Sequence, residues 1–518
     1  MQGGRAVTGS HQGDGALGVA ARGSLITLAG TFAGKGLGFA LRVLVTRLFG
    51  EAAFGALALC LLVGEFARTL AVAGLARGGM RFLALALGEG RPETIPALLR
   101  TVFSIPLALS LLWALALFHG ADTLAIGWFG DPTLAPHLQR IAFAIPALAL
   151  LRVGVETSRG FHTTRYATLV EQLALPALLL CAVLGGYLLG GSLGAVIWGM
   201  VLAYGVALAL ILLALRRQLG AALRAPRTPS AAVAPAPGVG VVLRYSLPLF
   251  LSGFAAMLMG SLDLLLLGHW VSVAEVGVYA AALALAGLLS STLMSSVNSI
   301  LAPLIASAHG GADPARVAHL YRATTRWLTL LALPLAGAAV LAREPLMALF
   351  GPGFVATGAG VLAVLVIGHA LNCASGGVGQ VLAMTGHQGL ELLANLIAIA
   401  LNLALNLALI PLLGPLGAAL ATAIALVALN GLRLLMVRAR LGMQPFARRP
   451  LLVAAAGVVV VLGCELSGLR ALAPLWCGLG VGLALAALGW RLGLAAEDLR
   501  LLRGLGGRLA RGGRLSRA

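Results

Sequence analysis

The sequence predicts an all-α protein that crosses a membrane many times and is built from two similar halves. Three observations carry this. The 518 residues are 60% hydrophobic and only 10% charged, with a mean hydropathy of +0.99, whereas soluble domains carry about 25% charged residues. The apolar residues fall into about fourteen runs, each near the roughly 20 residues that a helix needs to span a bilayer core. Short motifs also recur in the same order, 221–223 residues apart.

The elements follow in chain order. Residues 1–23 are polar and show no cleavable signal pattern, so they read as a cytoplasmic N-terminus. Six spans are expected near 24–47, 52–75, 95–119, 138–157, 166–190 and 192–215, forming an N-terminal lobe over 24–215. Residues 216–244 are basic and rich in Ala and Pro, the composition of a solvated cytoplasmic linker. Six more spans, near 245–268, 274–303, 320–342, 356–383, 389–412 and 415–437, make a C-terminal lobe over 245–440. Two accessory spans occupy 441–495, near 451–468 and 473–494, and 496–518 is a basic cytoplasmic tail.

The two sixes read as copies. Gly55 aligns with Gly277, Pro92 with Pro314, Arg100 with Arg322, Gly130 with Gly351 and Gly194 with Gly417. Five matches in order at a near-constant offset mark an internal repeat. Six spans is an even number, so both copies insert in the same sense. They are related by a pseudo-twofold along the membrane normal, with a pathway between them, which is a transporter layout.

Charge sets the orientation. The net charge is +19. Arginines crowd alternate loops, among them Arg77, Arg81 and Arg91, then Arg159 and Arg165, then Arg216 and Arg217, then Arg438 and Arg440. The opposite loops hold acids such as Asp122, Asp131 and Glu344. Cytoplasmic loops collect Arg and Lys, so both termini are expected in the cytoplasm. The basic balance then needs no nucleic acid, and no soluble domain is present to bind one. Five cysteines lie in apolar runs without a CxxC pair, and the nine histidines are scattered. No metal site, cofactor site or catalytic constellation is expected.

The stretch "GTFAGKGLGFALRVL" holds Lys35, the one lysine in the chain. It is not a phosphate-binding loop. The first glycine is one place too close, Gly36 replaces the hydroxyl that would hold magnesium, and no strand precedes it. On a helix, Thr31, Lys35, Gly38, Arg42 and Thr46 form one polar stripe. A charge at the bilayer centre costs about 2.5–3.5 kcal/mol on insertion scales, so both cations must face protein or a wet cavity. Two roles are open: an anion site, or a structural arrangement in which Arg42 snorkels or pairs with Glu65.

Other intramembrane polar residues are fewer. Glu65 and Arg68 are three apart and should form an intrahelical pair. Arg152 is the deepest charge of spans 4 and 5 and is placed near the cavity, with Glu156, Arg159, Arg165 and Glu171 at its mouth. Asp263 falls beside Arg42 under the repeat, which suits a gate, an ion-coupling site or an Arg partner. Glu391, Asn395, Asn402 and Asn406 form a stripe on span 11, and Ser291, Ser295 and Asn298 another on span 8. Such stripes either line a cavity or glue helices together.

Several stretches resemble one family. "GKGLGFALRVLVTRLFGEAAFGALALCLLV", "EVGVYAAALALAGLL", "MALFGPGF" and "NLIAIALNLALNLALIPLLGPLGAALATAIA" are similar to the oligosaccharide flippase (polysaccharide biosynthesis) family of the MOP exporter superfamily. The resemblance covers about 24–440 and rests on glycines, asparagines and helix-packing residues. It implies a MATE-like fold of two six-helix lobes and an alternating-access cavity in the bacterial inner membrane. It implies a polyprenyl-pyrophosphate-linked oligosaccharide as cargo, a unit of O-antigen, capsule or exopolysaccharide, and no enzymatic activity. Lys35, Arg42 and Arg152 would face the pyrophosphate, Asp263, Glu65 and Arg68 would couple or gate, and Asn298, Glu391, Asn395 and Asn402 would line the cavity. Expected partners are membrane lipids, H+ or Na+ as a coupling ion, and polysaccharide polymerase or glycosyltransferase machinery. Lipid II flippases and cation-coupled multidrug exporters share the fold and stand as alternatives. A membrane glycan polymerase or ligase would need a large outer loop, which the sequence lacks.

Overall fold

Helices account for nearly every described residue, as the apolar periodicity requires. The computed structural model describes the backbone of residues 10–224, 237–311, 313–446, 448–468 and 473–493. Side chains are described from residue 30 onward, except at 289, 296, 298–300, 303, 492 and 493. The expected N-terminal segment before residue 10, the middle of the linker, the basic tail and the side chain of Asn298 therefore lie outside the described residues.

The helices in order are α1 (Ser10–Val72), α2 (Leu75–Gly88), α3 (Ile95–Gly127), α4 (Ala135–Ala142), α5 (Ile145–Arg159), α6 (Arg165–Thr168), α7 (Leu175–Leu188) and α8 (Leu193–Arg224). They continue with α9 (Val239–Trp270), α10 (Val273–Gly310), α11 (Pro314–Leu341), α12 (Arg343–Ala348), α13 (Val355–Ala374), α14 (Val378–Met384) and α15 (Gln388–Leu413). The last three are α16 (Pro415–Leu441), α17 (Arg448–Leu466) and α18 (Pro474–Leu488).

Among the described residues, twelve helices are long and apolar enough to cross a membrane, or thirteen if the bent pair Pro132–Ala142 and Ile145–Arg159 counts as one span rather than a re-entrant loop. The first of the twelve, Gly30–Val72, runs 43 residues. At 1.5 Å per residue it is about twice as long as the ~30 Å hydrocarbon core. It is kinked at Gly50, whose φ of 82° and ψ of −176° are non-helical and sit in a region open to glycine at little cost. Counted as two crossings, and with the bent pair as one span, it would match the fourteen that the sequence predicts. The chain is a multi-pass membrane protein. Large apolar side chains such as Leu188 (80% exposed) and Trp476 (77%) point outward, as lipid-facing positions must.

Contacts cluster into two compact units, Met1–Ala280 and Ala281–Ala518. In the first, α2, α3 and α5 enclose a core of Leu75, Leu83, Ile95, Leu98, Val102 and Val153. Helix α9 packs along α2, where Gly74 and Gly78 leave room for Phe250 and Ser246. The start of α10 crosses α1 through the two glycines that the repeat equates. A Cβ on Gly55 would come 2.9 Å from the Gly277 nitrogen, and one on Gly277 would come 2.9 Å from the Gly55 nitrogen. The contact is reciprocal, each glycine facing the other's backbone. In the second unit, α11, α14 and α16 gather around Val317, Tyr321, Val381, Leu382 and Val437, while α17 and α18 pack on α11.

Candidate functional site

Lys35 and Arg42 ride on the first half of α1. That half packs its Gly30 and Gly34 edge against Thr168 and Gln172. Lys35 is half-buried and Arg42 is exposed. The Arg42 guanidinium donates to the Gly38 carbonyl, one turn earlier, at 3.2 Å. No carboxylate pairs with Arg42 among the described residues, so the Arg42–Glu65 pair that the sequence allows does not form. Thr46, the end of the expected stripe, is buried and donates to the Val43 carbonyl at 2.9 Å.

Glu65 pairs with Arg68 on its own helix, Arg68 Nε donating to Oε2 at 2.7 Å. Beside this pair the first unit holds a cavity of about 660 Å³. Glu65, Arg68, Arg77, Arg152, Phe250 and Met257 are among its walls. The structure thus brings together three of the expected residues, Glu65, Arg68 and Arg152, and adds Arg77. Lys35 and Arg42 are not in this wall.

Arg77 escapes sequence reading for a geometric reason. It lies nine residues after Arg68, which on one continuous helix places it about 180° around the axis. The chain breaks between α1 and α2, where Ala73 (φ 47°) and Gly74 (φ 75°) turn left-handed. The break re-aims α2 so that both arginines reach one cavity. An Ala-Gly pair inside an apolar run is the faint signal that marks the spot.

Arg152 belongs to a closed ring of charges. It meets Glu156 at 2.8 Å and Glu171 at 3.0 Å, and Arg159 meets the same two carboxylates at 2.9 and 2.5 Å. Glu156 is buried, and a buried carboxylate stays charged only when paired. Glu171 reaches both arginines from a π-helical turn, Leu169–Ala174, the kind of widened turn that re-aims a side chain. Among the charges around the cavity and ring, Arg77 is the cation with no carboxylate partner among the described residues.

Asp263 is buried in α9. It accepts from the Tyr279 hydroxyl and, at 2.9 Å, from the Leu264 N–H. Tyr279 sits near the start of α10 and was not foreseen as its partner.

In the second unit, Glu391 and Asn395 do not act alone. Arg433 of α16 donates through Nε to Glu391 at 2.9 Å and bonds its other oxygen as well. Arg433 also reaches Asn395 Oδ1 at 3.2 Å, and Asn395 donates back to Glu391 at 3.0 Å. Arg433 was missed, yet the sequence holds a signal. Helices α15 and α16 form a hairpin about Gly414, and Asn395 and Arg433 are equidistant from it, with Glu391 one turn further out. Asn402 lies deeper on the same helix. It is 2% exposed, and Asn406 donates to its carbonyl and its side chain at 2.8 and 3.1 Å. No cluster of His, Cys, Asp and Glu that could hold a metal occurs among the described residues.

Comparison with known proteins places this geometry. No curated protein sequence matches. Among solved structures, the lipid II flippase MurJ in an inward closed conformation is similar in fold, with a TM-score of 0.71 at 13% identity over 90% of this chain and 99% of that one. An inward-facing MATE family multidrug transporter of the MOP superfamily gives 0.62 at 15% identity, over 78% and 94%. A MOP superfamily transporter from Pyrococcus furiosus gives 0.55 at 16%, over 82% and 95%. These likenesses show the fold, all-α and MATE-like. Residues 44–355, more than half of the chain, match the family described as "Polysaccharide biosynthesis protein". With its many-helix MOP fold and that match, the chain belongs to the polysaccharide biosynthesis protein family.

Proposed function

We propose that this protein flips a polyprenyl-pyrophosphate-linked oligosaccharide across the bacterial inner membrane by alternating access, as a transporter and not an enzyme. The observation that carries the reading is Arg42. It is exposed, and its polar contact is its own helix. It lies eight residues, about 12 Å along the helix, from the kink at Gly50. Facing lipid there, it would cost up to about 2.5–3.5 kcal/mol. Facing a water-filled path, it is a ready partner for a diphosphate, which guanidinium groups bind through two parallel hydrogen bonds. Lys35, two turns earlier on the same helix, adds a second cation, and Arg152 lines the separate cavity beside Glu65 and Arg68.

In this reading the lobes are 24–215 and 245–440, joined by the cytoplasmic linker 216–244, with two accessory helices over 441–495. Both termini are cytoplasmic. The glycan crosses through the aqueous path while the polyprenyl chain stays in lipid. Asp263, held by Tyr279, and the Glu65–Arg68 pair couple or gate the motion, with H+ or Na+ as the driving ion. Polymerase or glycosyltransferase machinery supplies and consumes the cargo. Replacing both Lys35 and Arg42 by Ala should abolish surface polysaccharide export at unchanged protein level; normal export would remove their role.

A lipid II flippase is the second reading, favoured by the extent of the fold likeness to MurJ. A drug exporter of the same fold ranks below it, because the cavity in the first unit presents three arginines against one glutamate. Complementation of a lipid II flippase deletion by this chain would favour the second reading over the first.

A further inference from the structure

A second cleft lies in the first unit, about 970 Å³, walled by Arg81, Glu89, Arg159, His162 and Tyr245 together with the apolar Leu85. The two cavities share their supports. Arg77 lines the inner one and Arg81 the outer one, four residues apart on α2, so they are neighbours on one helix face. Arg152 and Arg159 repeat the pattern two turns apart on α5, and α9 closes both, with Phe250 inside and Tyr245 outside.

The charge balance singles out α2. Arg68, Arg152 and Arg159 are neutralised by Glu65, Glu156 and Glu171, and Glu89 is taken by Arg91. Arg77 and Arg81 have no carboxylate partner among the described residues. Arg81 instead lies over the Tyr245 ring, 4.2 Å from its centroid. That contact fixes the guanidinium plane and leaves its edge N–H groups available for an anion. Both arginines are exposed.

We propose that α2 carries a two-station path for the phosphate groups of the cargo: Arg81, braced on Tyr245, captures them in the outer cleft, and Arg77 holds them in the inner cavity. This rests on the flippase reading and names the residues that handle its anionic headgroup. Leu85 gives the outer cleft an apolar wall beside its cations, which suits a headgroup attached to a lipid chain.

The kinetics of binding test it. The full-length protein in phosphatidylcholine nanodiscs would be mixed with a polyprenyl diphosphate and, in parallel, with the uncharged polyprenol of the same chain length. Arg81→Gln should slow diphosphate association about tenfold at low salt and leave dissociation unchanged, as loss of a rim charge does. Arg77→Gln should speed dissociation about tenfold and leave association unchanged. Neither should alter polyprenol binding, and Arg81→Lys, which keeps the charge, should keep most of the association rate. Equal effects of both variants on both rates, equal loss of polyprenol binding, or no effect would overturn the path. Loss of the Arg81 effect when phosphatidylglycerol is added to the nanodisc would show a membrane lipid headgroup in the outer cleft and overturn its loading role. A wild-type protein that binds diphosphate and polyprenol alike would instead overturn the flippase reading on which the path depends.

Discussion

Arg433 and Glu391 show how single residues divide between structure and transport. Their side chains are only 15% and 20% exposed and meet across two helices. Removing one partner leaves a poorly solvated charge, which costs roughly 3–5 kcal/mol where the pair is buried. Glu391→Ala should therefore lower the melting temperature of the purified protein sharply, and adding Arg433→Ala should restore part of it. A single variant that melts like wild type would mean the pair is solvated. Asn402 is a milder case. Asn402→Ala should cost about 1 kcal/mol, the scale of a helix-joining amide in a membrane, and leave transport intact; lost transport with normal stability would return it to the cavity. The residue types were legible in sequence because charges and amides stand out in apolar runs. Their partners were not. Arg433 and Tyr279 lie on other helices, and pairing across helices depends on packing that one-dimensional spacing does not record.

Among elements, the informative ones are the interrupted helices. The kink at Gly50 and the turn at Ala73–Gly74 divide one apolar stretch into three segments with different directions. The expected spans 24–47 and 52–75 anticipate the kink at Gly50 but run through the turn at Ala73–Gly74, which is why Arg77 reads in sequence as a loop charge and in structure as a cavity wall. The crossing of α1 and α10 makes its own prediction. With backbone against backbone at Gly55 and Gly277, an added side chain has no space. Gly55→Val or Gly277→Val should destabilise the protein by about 1–3 kcal/mol through overpacking, read as a lower melting temperature. The two variants should behave alike, because each glycine faces the other's backbone. Unaffected melting for either would show that the helices part easily at this crossing.

For the whole molecule, the repeat and the hydropathy pattern were enough to anticipate an all-α, many-span protein of two similar halves, and the MATE-like fold followed from the resemblance to the oligosaccharide flippase family. Apolar periodicity and recurrent glycines report directly on helix length and close packing. Cargo is written more faintly. The proposed reading rests on a few cations of the first unit, and only the assembled structure separates Arg42, Arg77 and Arg81 from the arginines held by Glu65, Glu156 and Glu171. In the proposed function these cations serve to move a diphosphate-linked glycan. The most direct measurement is flipping in proteoliposomes that contain the purified protein and a polyprenyl-pyrophosphate oligosaccharide, scored by the glycan's accessibility to an added reagent. The account predicts protein-dependent flipping that is lost in the Lys35→Ala, Arg42→Ala double variant. No flipping of this lipid by a folded wild-type protein, alongside flipping of lipid II or export of a cationic drug, would contradict it.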